Sequence, residues 1–372
     1  MSKRIYFLDS LRGIAAVTVV ATHLAGTFKE ETLMKEIFEP LGRSAVILFF
    51  LLSGIALSLA LKNKSPFTWQ DYAAFLVKRI CRIYLPFLVI ILLTECLYFG
   101  FTPTGIPSLS AWFNTVGSGA LQWKVFLENV FMVGNYVDRI DPVIWSLIIE
   151  LRISIVFPLF YYLVERKGVK WGVGLIGLSF GFGTALLFVI DQQFLIGQTI
   201  FHLGFFIIGI LMTLHWEAIR AFTRNQKVLV MLASMALYFH GFALIITGIH
   251  LPQVFSDVVI GTGCVGILLV CYQSKKAQDF LARPVYLFLG KISFSVYLVH
   301  CVVFIPWIYL LHQMISSVVV IELLSLPLIF IVAYLSYLLF EKPAQQFGRK
   351  LGKQISQFHL QLSEPNKERT NG

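Results

Sequence analysis

Two ionisable residues lie near the start of the chain in a stretch that is otherwise apolar. Arg12 and His23 are eleven positions apart, close to three helical turns, so both share one helix face about 16 Å apart along the axis. Asp9 falls near the same face and is positioned to pair with Arg12. An imidazole in this setting suits proton transfer, and a guanidinium suits anion binding. The alternative is that Arg12 only anchors the helix end and His23 only hydrogen-bonds in the core.

A carboxylate in a second apolar stretch is the natural partner for this imidazole. Glu150 comes five residues after Trp145, and it lies at about the same depth in its helix as His23 does in the first. We therefore predict a dyad in which Glu150 orients His23 as a general base. Pairing of Glu150 with Arg152 is disfavoured, because residues two positions apart do not face each other on a helix.

A pair of arginines precedes the third apolar stretch. Arg79 and Arg82 are three positions apart and share one helix face. Two guanidinium groups at a membrane entrance suit a phosphate-bearing ligand. Ordinary anchoring by positive charge is the alternative interpretation.

A polar stripe lies on the ninth apolar stretch, where Ser293, Tyr297 and His300 share a face by their spacing. Such a stripe faces the interior of a helix bundle, and it either lines a cavity or joins neighbouring helices. The candidate cavity-lining residues are Asp9, Ser53, Trp145, Ser146, Ser293, Tyr297 and His300.

Several catalytic classes lack their usual signature in the chain. It has no His-Glu-x-x-His or P-loop motif. The Gly-x-Ser-x-Gly run at 177–181 and the Gly-x-Gly-x-x-Gly runs at 172–177 and 261–266 lie inside predicted spans, not at the strand-to-helix turn that a hydrolase or dehydrogenase site requires. The five cysteines show no Cys-x-x-Cys spacing, and we predict neither a metal site nor a disulfide framework. Although the net charge is +10, the positions of the charges do not indicate a nucleic-acid partner.

The elements that position these residues are membrane-spanning helices. The 372 residues are 57% hydrophobic and 13% charged, against about 45–50% and roughly 25% in soluble proteins. We therefore predict an all-α polytopic membrane protein, a bundle of about ten transmembrane helices of about 20 residues each. The predicted spans cover residues 11–28, 44–61, 83–101, 144–164, 171–190, 197–214, 228–246, 255–272, 292–311 and 316–340.

The basic residues orient the bundle. With the N-terminus inside, 22 of the 30 Lys and Arg residues fall in inner segments and five, Arg43 among them, in outer loops. This asymmetry follows the positive-inside rule and predicts that both termini are cytoplasmic. We assign residues 1–348 to one transmembrane domain and 349–372 to a polar cytoplasmic tail. The long outer segment 102–143 is expected to fold over the outer face or re-enter the membrane.

The chemistry-bearing residues stand within a series of short motifs. Arg12 and His23 lie in LDSLRGIAAVTVVATHL, and the chain continues with FFLLSG, KRICRIYLP with Arg79 and Arg82, WSLIIE ending at Glu150, LGKISFSVYLVH ending at His300, and FEKPAQQFGRKL. In content and order this series resembles the signature of the acyltransferase family 3 membrane proteins. The resemblance extends from about residue 5 to 352.

The resemblance implies an activity and a site. It implies transfer of an acyl group, commonly acetyl, from cytosolic acyl-CoA to a hydroxyl of a cell-surface glycan or its lipid-linked precursor. By matched position, Arg12 and His23 are the essential pair, and Arg79 and Arg82 hold the acyl-CoA. Acetyl-CoA is then a co-substrate rather than a bound cofactor, and a bacterial inner membrane is the expected location. His23 acts as general base, or alternatively carries the acyl group itself.

The chain also departs from the family pattern. Leu151 and Arg152 follow Glu150 where a second carboxylate and an aromatic residue are usual, so only Glu150 carries over. The sequence shows no appended esterase-like domain, which favours direct acylation by the membrane domain. The competing interpretation is a glycolipid transporter or flippase without acyl transfer; release of CoA from acyl-CoA distinguishes the two.

Overall fold

A computed structural model describes residues 5–29, 32–62, 64, 67–100, 105–116, 123–133, 141–191, 194–223 and 225–363. Within these ranges the regular structure is entirely helical, with no β-strand. The helices are α1 (Tyr6–Ala25), α2 (Leu33–Leu61), α3 (Trp69–Gly100), α4 (Ala111–Thr115), α5 (Trp123–Val130), α6 (Ile144–Lys167), α7 (Val169–Val189), α8 (Leu195–Leu214), α9 (Trp216–Thr223), α10 (Lys227–Tyr238), α11 (His240–Thr247), α12 (Gln253–Gln273), α13 (Lys275–Leu281), α14 (Pro284–Leu311), α15 (Val318–Ser336) and α16 (Lys342–Ser363).

The described part of the chain contains nine helical stretches long and apolar enough to cross a membrane, the last running from α15 through a π-helical turn into α16. Helices α10 and α11 pass the same test together but meet at a bend of 51°. The predicted count of ten spans is reached if this bent pair forms one broken span. The all-helical architecture is confirmed for the described residues, with nine candidate spans, whereas the orientation of the termini stays a prediction.

Two helices begin well before the predicted spans. Helix α2 begins at Leu33 rather than at residue 44, so Arg43 lies inside the helix and the prediction that it belongs to a loop was wrong. Helix α3 begins at Trp69 rather than at residue 83, so Arg79 and Arg82 lie within it rather than before it. In both extensions charged residues interrupt the apolar ones, and a search for continuous apolar runs therefore excludes them.

A capping motif explains the early start of α3. The Thr68 hydroxyl accepts a hydrogen bond from the Asp71 backbone N–H (3.2 Å), and the Asp71 carboxylate accepts one from the Thr68 backbone N–H (3.2 Å). This reciprocal pair satisfies two backbone donors that would otherwise lack partners at a helix N-terminus. The helix can therefore begin at Trp69, nearly three turns before Arg79.

Close packing of α1 against α14 sets the register of the site. A Cβ atom on Gly13 would lie 2.5 Å from the backbone nitrogen of Gly290, so the two backbones touch where both residues lack a side chain. Ten residues further along each helix are His23 and His300, whose rings are adjacent. The helices therefore run parallel, and small residues allow the approach, as is common between membrane helices. Helix α2 packs on α1, α6, α8 and α12.

The described parts of the segment 102–143 include the short helices α4 and α5. Ser110 caps α4 and ties it to the end of α1: its hydroxyl donates to the Gly26 carbonyl (2.6 Å) and its backbone N–H donates to the Thr27 carbonyl (2.9 Å). Helix α4 thus folds over that end of the bundle, as expected for this segment. Residues 101–104, 117–122 and 134–140 lie outside the described residues.

The predicted domain boundary after residue 348 falls inside α16. This helix continues from the bundle and packs along α3, where a Cβ on Gly348 would lie 2.6 Å from the Cβ of Cys81. The assignment of 349–372 as a separate tail stays a prediction, and residues 364–372 lie outside the described part of the chain.

Candidate active site

Two histidines from parallel helices form the centre of the site. Nδ1 of His23 lies 2.7 Å from Nε2 of His300, and the two rings are nearly parallel, 11° apart, with centroids 5.0 Å apart, so they meet edge to edge. His300 is fully buried, and its Nδ1 lies 3.1 Å from the Val296 carbonyl oxygen. These contacts form a chain from the Val296 backbone through His300 to His23.

The chain of contacts determines where the hydrogens lie in the neutral pair. A carbonyl oxygen only accepts, so Nδ1 of His300 carries the hydrogen and its Nε2 has a free lone pair. Nδ1 of His23 must then donate to that lone pair, which leaves Nε2 of His23 unprotonated. Nε2 of His23 has no hydrogen-bond partner among the described residues. It is not buried, so it remains accessible to a bound molecule. His23 is thus held in the tautomer that a general base requires.

Trp112 and Cys301 complete the surroundings of His23. The Trp112 ring, from α4, stacks on the imidazole with centroids 5.5 Å apart, and Sγ of Cys301 lies 3.4 Å from Nδ1. The ligand atoms of His23, His300 and Cys301 lie within 4.8 Å of one another. However, two nitrogens bound to one tetrahedral zinc ion at about 2.0–2.1 Å would be roughly 3.3 Å apart. The 2.7 Å separation is that of a hydrogen bond.

Glu150 is engaged elsewhere. Its Oε1 accepts a hydrogen bond from Nη2 of Arg79 (2.6 Å) and another from the Ser53 hydroxyl (3.0 Å). Nε of Arg79 donates to the Ser154 hydroxyl (3.2 Å). Among the described residues, the predicted Glu150–His23 dyad does not form: His300 has the position next to His23, and Glu150 compensates the charge of a buried arginine.

One cavity, the arginine cavity, is lined by Arg12 and Arg82. Nη2 of Arg12 donates to the Leu52 carbonyl (3.0 Å), and its Nη1 lies 3.6 Å from Oδ1 of Asp9, so the predicted intrahelical pair forms. The cavity measures about 60 Å³. Its other polar lining residues, Ser53, Ser146, Glu150, Ser293 and Tyr297, are all among those predicted to lie at the site.

A second cavity, the histidine cavity, is lined by His23 and Trp145 and measures about 140 Å³. It shares Val46 and Tyr297 with the arginine cavity, so these two side chains separate the two spaces. The Tyr297 hydroxyl lies 2.6 Å from that of Ser146. Because the Ser146 hydroxyl donates to a backbone carbonyl, that of Val143 (3.0 Å), the Tyr297 hydroxyl is the donor to Ser146.

Arg43 also lines the histidine cavity, fixed by a carboxylate from another helix. Its Nε donates to Oδ1 of Asp257 (2.8 Å) and its Nη2 to Oδ2 (2.5 Å), a bidentate pair with the fully buried Asp257. Gln253 donates to the same carboxylate (3.0 Å). The Trp145 ring covers the guanidinium, with Cζ 5.0 Å from the ring centroid. His202 lies at the edge of this cluster, 3.5 Å from Nη2.

A buried carboxyl group lies just before α6. Asp141 is fully buried, its Oδ1 accepts from the Val143 backbone N–H (3.2 Å), and its Oδ2 has no partner among the described residues. Burial penalises the charged form and raises the pKa of Asp141 to about 7. Its neighbour Pro142 lines the histidine cavity.

Three contributors were not identified from the sequence: Arg43, Asp257 and Trp112. Asp257 lies inside the predicted span 255–272, so the rule that an ionisable residue within a span marks a functional site was sufficient to find it. Arg43 was assigned to a loop because α2 was predicted to begin at residue 44 rather than at Leu33. Trp112 belongs to a long loop whose position no periodicity predicts.

Comparison with known proteins gives two matches. The family model described as "Acyltransferase domain" matches residues 5–340. Acyltransferase MdmB of Streptomyces mycarofaciens is 29% identical over 171 residues, which are 45% of this chain and 42% of that protein. The matched region thus spans less than half of the length of this relative. No solved structure matches the chain significantly.

Proposed function

Since the chain belongs to acyltransferase family 3 and is therefore an enzyme that transfers acyl groups, we propose that it uses acyl-CoA, acetyl-CoA first, to acylate a hydroxyl of a cell-surface glycan or its lipid-linked precursor. The observation that carries the proposal is the His23–His300 pair. His23, whose Nε2 has no partner among the described residues, lines a cavity that shares Val46 and Tyr297 with an arginine-lined cavity.

In the proposed mechanism the donor enters through the arginine cavity. Arg12 and Arg82 line it, and guanidinium groups suit the phosphates of CoA. Arg79 is neutralised by Glu150, so in this proposal it supports the wall of the cavity, and Arg82 with Arg12 carries most of the phosphate binding. The thioester then reaches the histidine cavity past Val46 and Tyr297.

The reaction follows from the free lone pair. Nε2 of His23 takes the proton of the acceptor hydroxyl as its oxygen attacks the thioester carbonyl carbon. The carbon–sulfur bond then breaks, and the leaving thiolate takes the proton from Nε2, giving the ester and free CoA. The imidazolium formed in between keeps its hydrogen bond to Nε2 of His300. A positioned base of this kind contributes about 10²–10⁴-fold in rate.

We also propose a bacterial plasma or inner membrane with both termini cytoplasmic. The distribution of basic residues supports this orientation, and it would place the arginine cavity on the side where acyl-CoA is available. The bacterial source of the matched acyltransferase supports the location.

CoA release by the purified protein in lipid vesicles, with acetyl-CoA and a glycan extract, tests the proposal. His23→Ala should abolish turnover and leave CoA binding intact, whereas replacement of the exposed His250 by Ala should change neither. Absence of CoA release and of CoA binding in the unmodified protein would refute the proposal and favour a transporter. Labelled acetyl retained on the protein without acceptor would indicate an acyl-histidine route instead of direct transfer.

A further inference from the structure

The histidine cavity includes in its lining one cationic hydrogen-bond donor, Arg43, in addition to the proposed base. Its polar lining consists of Thr22, His23, Arg43, Trp145 and Tyr297. The Thr22 hydroxyl donates to backbone carbonyls, as close as 2.8 Å, and the Tyr297 hydroxyl donates to Ser146. These two hydroxyl hydrogens are therefore already used within the protein.

Arg43 keeps donors available because only one edge of its guanidinium is engaged. Nε and Nη2 bind Asp257, and Nη2 also lies 3.5 Å from Nε2 of His202, while Nη1 makes no hydrogen bond to the described residues. The side chain retains 22% of its exposure, although Asp257 has none. The buried carboxylate and the Trp145 ring thus fix the plane of the guanidinium while its remaining edge stays open to the cavity.

From this geometry, and resting on the proposed acyl transfer, we propose that Arg43 is a catalytic residue that stabilises the oxyanion of the reaction through Nη1. When the acceptor oxygen bonds to the thioester carbon, the carbonyl π electrons move to the carbonyl oxygen, and Arg43 donates to this oxygen. When the electrons return, the carbon–sulfur bond breaks, and the proton held by His23 passes to sulfur.

The arrangement suits this role because the donor is held in advance. A donor that is already fixed in a water-poor site costs no reorganisation as charge develops, and removal of one such donor typically costs about 10²–10³-fold in kcat. Asp257 is then a positioning residue. It orients the guanidinium and limits its free charge, which favours recognition of an oxyanion formed in the reaction over general anion binding.

The test must separate this role from simple stabilisation of the α2–α12 contact. Arg43→Gln alone leaves Asp257 buried without its ion-pair partner, a change that endangers folding. The double variant Arg43→Gln with Asp257→Asn replaces the ion pair by two amides that can bond to each other. Arg220→Gln, at a 54% exposed arginine, is the matched control.

Unmodified protein, double variant and control are compared for thermal unfolding, acetyl-CoA binding, and kcat of CoA release with a glycan extract. The expected result is a folded double variant that binds acetyl-CoA normally and has kcat lower by about 10²–10³-fold. Added guanidinium ion should partly restore kcat in Arg43→Ala with Asp257→Asn, which loss of a packing contact alone would not allow.

A double variant with the kcat of the unmodified protein overturns the assignment of Arg43 and leaves the acyltransferase proposal intact. Failure of the unmodified protein to release CoA overturns the acyltransferase proposal itself.

Discussion

The hydrogen bond between the two histidines gives a quantitative prediction for His300. As His23 becomes an imidazolium, the bond from its Nδ1 to Nε2 of His300, now 2.7 Å between two neutral rings, becomes charge-assisted. Hydrogen bonds to charged groups are worth about 1.5–3 kcal/mol, against about 0.5–1.5 kcal/mol between neutral groups. Only the difference, roughly 1–1.5 kcal/mol, lowers the barrier, because the bond is already present before the reaction. At about 1.4 kcal/mol per factor of ten, removal of the acceptor should lower kcat by roughly 5- to 12-fold.

The assay is steady-state CoA release, with kcat and the KM for acyl-CoA determined separately. His300→Ala should lower kcat and leave KM unchanged, because His300 lies on the wall of neither cavity. His300→Gln should retain more activity than His300→Ala, because an amide oxygen can still accept from Nδ1 of His23.

His312→Ala, at the C-cap of the same helix, is the matched control. Nδ1 of His312 also contacts a backbone carbonyl, that of Tyr309 at 2.8 Å, but its ring packs against Tyr309 and not against His23. Unfolding temperatures of all variants show whether the fold is kept. An unchanged kcat in folded His300→Ala, or a change confined to KM, would refute the argument that His300 holds the base.

Three further predictions concern stability and donor binding. Burial raises the pKa of Asp141 from 3.8 to about 7, so the unfolded chain releases this proton at a lower pH than the folded protein does. Up to roughly 4 kcal/mol of stability is therefore lost as the pH rises from about 4 to about 7. Asp141→Asn should remove this pH dependence and unfold at a higher temperature than the unmodified protein above pH 7. Gly13→Ala should destabilise the folded protein by about 1–3 kcal/mol, because the added Cβ would meet the backbone of α14. Gly174→Ala, whose Cβ would have nothing within 4 Å, should leave the stability unchanged. Equal unfolding temperatures of the two variants would contradict the close helix contact. Arg82→Ala should raise the KM for acyl-CoA. Arg79→Ala should mainly lower the unfolding temperature, since loss of one partner of a buried pair typically costs about 3–5 kcal/mol. Identical effects of the two changes on KM would refute this division of roles.

Properties that depend on neighbours along one helix could be predicted from the sequence. The pairing of Asp9 with Arg12 follows from their spacing, and so does the common cavity face of Ser293 and Tyr297. Both rest on the helical period, which is the same whatever surrounds the helix. Even here the start of α3 was predicted too late, because a cap rather than hydropathy determines it.

Partners on different helices could not be predicted in the same way. Glu150 and His23 lie at similar depths by sequence, yet Glu150 contacts Arg79 and His23 contacts His300. The depth of a residue along its helix does not determine how that helix is rotated or how it is aligned with its neighbours. Several helices carry a polar group at a similar depth, so the sequence leaves more than one pairing open. The bidentate contact of Arg43 with Asp257, more than 200 residues away in the sequence, could not be predicted for the same reason.

The sequence by itself therefore determined the class of protein, the helical stretches, the family and most of the polar residues that line the two cavities, because composition and periodicity are local properties. Only the tertiary structure decided which of those residues meet. The physical reason is the packing of helix backbones: where Gly13 and Gly290 let α1 and α14 touch, one register is selected, and that register brings His23 to His300.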